Sequence, residues 1–171
     1  MGHTDGFQPQ EREKIMRIGI IVYSHTGHTL RVARKLEERL ASDGHAVTLE
    51  QLETVEPLDL SATIAALKSE PPIDVYDAVV LGSPVNGGRM SAPMKTYLDQ
   101  IPSLQGKQIA ILLTHFFFQS WGANQTIEQM TEASESKGAM VCGAGNVRWL
   151  SLRRRRQIAE AIENLARCLE P

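Results

Sequence analysis

The sequence predicts an α/β domain with a doubly wound, five-stranded parallel sheet and helices on both faces. Three observations carry that expectation. Short apolar, largely β-branched runs recur at residues 18–23, 78–82 and 108–114, continuous enough to be covered on both faces. Helical spacing with stop signals separates most of them. No internal repeat or linker-like stretch interrupts the alternation, and right-handed crossovers then leave few topologies.

Taken in order, residues 1–15 are polar, carry Gly2, Gly6 and Pro9, and show no periodicity. They read as a flexible leader, or as an alternative start ahead of Met16, with one domain over residues 16–171. The first strand spans residues 17–23. Leu30, Val32, Ala33, Leu36 and Leu40 give a helix over residues 29–40, which Asp43-Gly44 ends. Residues 45–52 alternate as a second strand. Pro57 and Pro71-Pro72 bracket a short helix over residues 61–67. A strand over residues 78–82 leads into a loop over residues 83–90. A helix over residues 91–101 follows, with Pro93 in its first turn. The strand at residues 108–114 opens an aromatic loop over residues 115–123. Asn124 then caps a helix over residues 125–137, stopped by Gly138. A fifth strand at residues 139–143 and an amphipathic helix at residues 152–169 complete the chain.

The formal net charge of −2 supplies no global field for nucleic acid or a membrane surface. No stretch reaches the roughly 18 apolar residues of a membrane span. The N-terminus has no apolar segment of the secretory kind. Cys142 and Cys168 have no metal-type spacing, and they read as reduced thiols of a cytoplasmic protein.

The chemistry concentrates after the first strand, at Ser24, His25, Thr26, Gly27, His28 and Thr29. Hydroxyls and a glycine at a strand-to-helix turn form an anion site, because first-turn amides and the helix dipole both favour negative charge. There is no GxxxxGK[ST], and no GxGxxG follows the strand, so neither a nucleoside triphosphatase nor a dinucleotide site is indicated. Ordinary turn and capping chemistry would use the same residue types. His25 and His28 lack the carboxylate or cysteine neighbours that a zinc site would need.

This S-x-T-G-x-T loop resembles that of the flavodoxin family, which binds flavin mononucleotide (FMN). Residues 77–82 followed by Ser83-Pro84-Val85 are similar to the family's third strand and first flavin loop. So is the run from Gly88 through Arg89, Met90, Ser91, Ala92, Pro93, Met94 and Lys95 to Tyr97-Leu98-Asp99 similar to the helix that follows. The resemblance covers residues 16–169. It implies strand order 2-1-3-4-5, with the ligand beyond the carboxyl ends of the strands. It implies that residues 24–29 hold the FMN phosphate. It assigns the ring contacts to Ser83, Pro84, Val85, Asn86, Gly87 and Gly88, and to the loop of Thr114, His115, Phe116, Trp121 and Gly122.

The chain departs from many family members at Asn86, where an aromatic residue commonly stacks on the flavin. The run His115-Phe116-Phe117-Phe118-Gln119-Ser120-Trp121 offers a substitute, with Phe116 or Trp121 covering the ring and another aromatic packing inward. Glycines after Asn86 permit the peptide flip that, in flavodoxins, offers a carbonyl to reduced flavin N5, and they equally suit an ordinary Asn-Gly turn. Arg153 to Arg156 open the last helix against its dipole; they read as a solvated face offset by Glu160 and Glu163, with recruitment of a phosphate or an acidic partner as the alternative.

Neither Ala78 to Leu98 nor Lys107 to Ile127 contains an aspartate or glutamate. Electron carriers of this family tend to be acidic around the flavin. A neutral, aromatic rim fits instead an FMN-dependent oxidoreductase passing electrons from NAD(P)H, or from a reductase, to a quinone-like acceptor. A flavodoxin-type carrier docking on a redox protein partner, and a member that has lost FMN, stand as alternatives. The sequence leaves open a homo-oligomer.

Overall fold

The computed structural model describes residues 14–116 and 120–171, with the backbone alone for residues 120 and 121. The elements run β1 (Arg17–Val22), α1 (His28–Ser42), β2 (Ala46–Gln51), β3 (Ala78–Asn86), β4 (Arg89–Met90), α2 (Ala92–Gln100), β5 (Gln108–His115), α3 (Ser120–Glu135), β6 (Met140–Arg148) and α4 (Arg154–Cys168). The main sheet is parallel, in order β2-β1-β3-β5-β6, and the short β4 pairs antiparallel with β3. Leaving β4 aside, this is the expected order 2-1-3-4-5.

Alternation along the strands divides the core between the two faces of the sheet. Ile18, Ile20, Val22, Val80, Ala110 and Leu112 pack with Val32 and Leu36 of α1 and Leu165 of α4. Ile21, Val79, Leu81, Ile109 and Ile111 pack on the other side with Met94 and Tyr97 of α2 and Met130 of α3. Gly19 faces that second layer, where a Cβ would sit 2.5 Å from the Tyr76 ring. Space, not flexibility, requires glycine there.

Several expected boundaries move. Residues 61–67 form no helix; Leu67 instead makes an isolated antiparallel bridge to Thr54. β3 continues through the expected loop to Asn86, because β1 has ended at Val22 and Pro84 pairs only with Thr114 of β5. There the missing N–H of Pro84 interrupts no ladder on its other side. α3 starts at Ser120, so Asn124 lies inside the helix and not at its cap. β6 runs on to Arg148, well past Gly143. The expected stops at Gly44 and Gly138 hold, with φ of 92° and 91°.

Cys142 and Cys168 form a disulfide, correcting the expectation of free thiols. The register of β5 on β6 shifts from Ile109–Val141 to Ala110–Gly143, leaving Cys142 as the unpaired extra residue of a bulge. The bulge turns Cys142 toward the end of α4, which covers this face of the sheet.

Candidate functional site

The carboxyl ends of β1, β3, β5 and β6 meet at one edge, and the expected site residues gather there. Tyr23 N–H donates to Gly82 O at 3.0 Å, fixing where the chain leaves β1. Gly27, at φ 83°, is the N-cap of α1 and supplies no side chain. Ser24 substitutes for a cap by accepting the Leu30 N–H at 3.3 Å. Thr29 Oγ1 lies 2.7 Å from Thr114 Oγ1, a buried hydroxyl pair that ties the first turn of α1 to the end of β5. Ser24 and Thr29 therefore brace the loop from behind, while the exposed His25 and Thr26 form its outer surface.

His28 is the most constrained residue of the loop. Its Nδ1 shares a hydrogen bond of 3.0 Å with Thr26 Oγ1. Its ring stacks on Trp149, with centroids 3.9 Å apart and planes at 21°, and meets the Phe116 ring edge-on at 5.1 Å. Partial burial holds its pKa below the ordinary histidine value, and the charges of Arg31 and Arg154 lower it further. The imidazole is neutral at pH 7. Both arginines lie over the Trp149 ring, at 5.7 Å and 4.7 Å, and Arg154 also donates to Trp149 O.

The second wall is a β-hairpin, where a loop was expected. Val85 pairs with Met90 and Asn86 with Arg89 across Gly87 and Gly88, whose φ values are 56° and 75°. Positive φ at both central residues is what a twisted two-residue hairpin turn requires. At its base, buried Ser83 accepts the Ser91 N–H at 2.9 Å. At its tip, a Cβ on Gly122 would come within 3.4 Å of Gly88 Cα, so backbone meets backbone where the hairpin touches α3.

These walls enclose a cleft of about 290 Å³. Of the expected residues it is lined by His25, Thr26, His28, Pro84, Val85, Asn86, Gly87, Thr114, His115, Phe116 and Gly122, together with Gly88. Ser24, Gly27, Thr29 and Ser83 do not line it. The Trp121 side chain, with Phe117 and Phe118, lies outside the described residues. Leu60 and Trp149 also line the cleft and escaped the sequence reading. The signal for Trp149 was its position one residue after a strand, hidden because Gly143 looked like that strand's end. Among the described residues no aspartate or glutamate lines the cleft. A larger cavity of about 600 Å³ adjoins it between α2 and α3, sharing Leu60, Asn86 and Gly87. Among the described residues no cluster of His, Cys, Asp or Glu could hold a metal ion, and no helix is long and apolar enough to cross a membrane.

Comparison with known proteins agrees with this architecture. The model of the NADPH-dependent FMN reductase family matches residues 16–147. An NAD(P)H dehydrogenase (quinone) of Brucella anthropi is 28% identical over 100 residues, covering 54% of this chain and 50% of that protein. The chain thus spans about half the length of the curated relatives it matches. Among solved structures, a flavoprotein from Lactobacillus acidophilus in complex with FMN aligns with a TM-score of 0.56 at 18% identity, covering 85% of this chain and 98% of that one. A flavodoxin from Pseudomonas aeruginosa aligns with a TM-score of 0.63 at 15% identity, covering 91% and 100%. At such identities the likeness is one of fold. With the family match over most of its length, the chain belongs to the NADPH-dependent FMN reductase family and has a flavodoxin-like fold.

Proposed function

We propose that the cleft holds FMN and that the protein passes reducing equivalents from NAD(P)H to a small, flat, quinone-like acceptor. One observation carries this reading: among the described residues the cleft is lined largely by apolar, aromatic and uncharged polar groups with no carboxylate, and Phe116 stays partly exposed at its mouth. An acid-free aromatic mouth admits a planar ligand over a planar cofactor. It lacks the acidic collar that would steer a basic protein partner.

The residues fit FMN. The first-turn amides of α1, which a helix leaves without intrahelical acceptors, and the Thr26 hydroxyl suit a phosphate dianion. Neutral His28 donates or accepts one hydrogen bond there without adding charge, while Arg31 and Arg154 supply the positive field from behind Trp149. Pro84, Val85 and the Gly87-Gly88 turn offer a flat edge for the ring, with Phe116 opposite in place of the aromatic that Asn86 does not provide. When bound, FMN supplies the hydride and single-electron chemistry. The chain's own work is to position the ring, shield one face from water and present the other.

The test is direct. FMN-loaded protein is mixed with NADH or NADPH, with and without a soluble quinone, and absorbance at the nicotinamide band is followed. Quinone-dependent oxidation supports the reading. Reduction that requires an added protein reductase identifies a carrier instead, and a protein that takes up no FMN removes the reading altogether.

A further inference from the structure

The loop between β6 and α4 carries features that the cleft does not use. Leu152 is fully exposed and Leu150 is 65% exposed, although Trp149 immediately before them is buried. Arg153, Arg154, Arg155 and Arg156 follow directly. Arg154 is committed to Trp149, and Arg156 to Glu160 at 2.6 Å. Arg153 and Arg155 are exposed and make no ion pair among the described residues. Arg31 and Lys35 of α1 line the same groove as Arg154 and Arg155, which also holds Glu38 and the Arg39–Glu163 ion pair.

This arrangement is unfavourable for the isolated fold. Neither α1 nor α4 has an acid in its first turn, and both place cations where the helix dipole is already positive. Exposed leucines beside them add an apolar surface that water does not reward. Both penalties are relieved by one occupant that is anionic at its surface and apolar just beneath it. We propose that this edge docks on an anionic lipid bilayer, with Leu150 and Leu152 inserted and the arginines among the headgroups.

Charge selects among occupants. A second copy would bring this patch against itself across a two-fold axis, opposing arginine to arginine. A free nucleotide or phosphate would use the arginines and leave the leucines in water. The net charge of −2 over the chain shows how local the basic edge is. Trp149 walls the cleft, and Leu60 and Phe116 are exposed at its rim, so docking here turns the cleft mouth toward the bilayer. That a lipid-dissolved quinone then reaches the cleft rests on the function proposed above; the docking itself does not.

The experiment is flotation of the full chain, loaded with FMN, on vesicles of phosphatidylcholine alone or of equal parts phosphatidylcholine and phosphatidylserine. Wild type is expected to float with the mixed vesicles only and to be released by salt. Leu152→Glu, on a fully exposed side chain, and the double variant Arg153→Gln/Arg155→Gln are each expected to lower partitioning at least about tenfold. Circular dichroism confirms that both variants are folded. Equal binding to neutral vesicles, no binding to mixed ones, or Leu152→Glu floating like wild type overturns the proposal. So does a concentration-dependent dimer that Leu152→Glu abolishes, which would assign the patch to a second copy. Flotation without quinone reductase activity leaves the docking standing and removes only the proposed function.

Discussion

His28 of the loop after β1 and Trp149 at the end of β6 stack face to face at 3.9 Å, joining two segments 121 positions apart in the chain. The stack closes one side of the cleft and fixes the His28 ring in its wall. Trp149→Ala is expected to weaken FMN binding about tenfold, because a stacked aromatic pair is worth up to roughly 1.5 kcal/mol beyond its buried area. Titration by FMN fluorescence quenching measures it. Unchanged affinity would show that the stack does not order the loop.

Partial burial of His28, with Arg31 and Arg154 nearby, makes stability depend on pH. His28 has a lowered pKa in the folded chain, so between that value and the ordinary histidine range the unfolded chain binds the extra proton. Its contribution is therefore fully present above about pH 6.5 and is lost as pH falls from there toward the folded-state pKa. Thermal melts of the FMN-free wild type and of His28→Gln are expected to converge, in the variant's favour, as pH drops through that window. Parallel pH profiles would contradict the assignment.

Thr29→Val removes one half of the buried hydroxyl pair and strands Thr114 Oγ1 without its partner. A buried hydroxyl left unpaired costs about 1–3 kcal/mol, and denaturant unfolding should show a loss in that range. Thr29→Ser, which retains the oxygen, should recover most of it.

Gly19→Ala pushes a methyl group into the Tyr76 ring, which also donates to Glu50 Oε1 at 2.7 Å and so resists moving. Overpacking of this kind costs about 1–3 kcal/mol. For a chain of this length that lowers the melting temperature by about 2–4 °C for each kcal/mol.

The Cys142–Cys168 disulfide closes a segment with a sequence separation of 26. Loop-closure entropy predicts that reduction lowers the unfolding free energy by about 3 kcal/mol, readable as a shifted denaturant midpoint with and without reductant. Cys142→Ser/Cys168→Ser should match the reduced wild type and ignore reductant.

The first strand, its hydroxyl loop and α1 were legible because their signals are local: a continuous apolar run, then Gly27 at the turn, then helical spacing. What was missed depends on glycines placed for a neighbour. Gly143 and Gly145 resemble a strand end, yet they lie within β6, where a Cβ would come within 3.3 Å of Cys168 Sγ and 3.0 Å of Leu165 Cδ1. They are small because α4 lies close. Gly122 similarly reads as loop but sits inside α3, made small by Gly88 of the hairpin tip. The short helix expected over residues 61–67 fails because its segment has a long-range partner, Thr54, that spacing alone does not reveal. His25, Thr26 and His28 were placed at the cleft by their motif directly after a strand, whereas Trp149 emerged only once the length of β6 placed it at the sheet edge.

The hairpin of β3 and β4 is a party wall. Asn86 and Gly87 line both the cleft and the larger cavity between α2 and α3, so a molecule lodged against Arg89 would rest on backbone that also walls the cleft proposed for FMN. Thermodynamic reciprocity then applies: if filling the outer chamber changes the hold on FMN by some factor, FMN changes the hold on the outer ligand by that same factor. Any such coupling would pass through the residues the two chambers share, Asn86 and Gly87 of the hairpin among them.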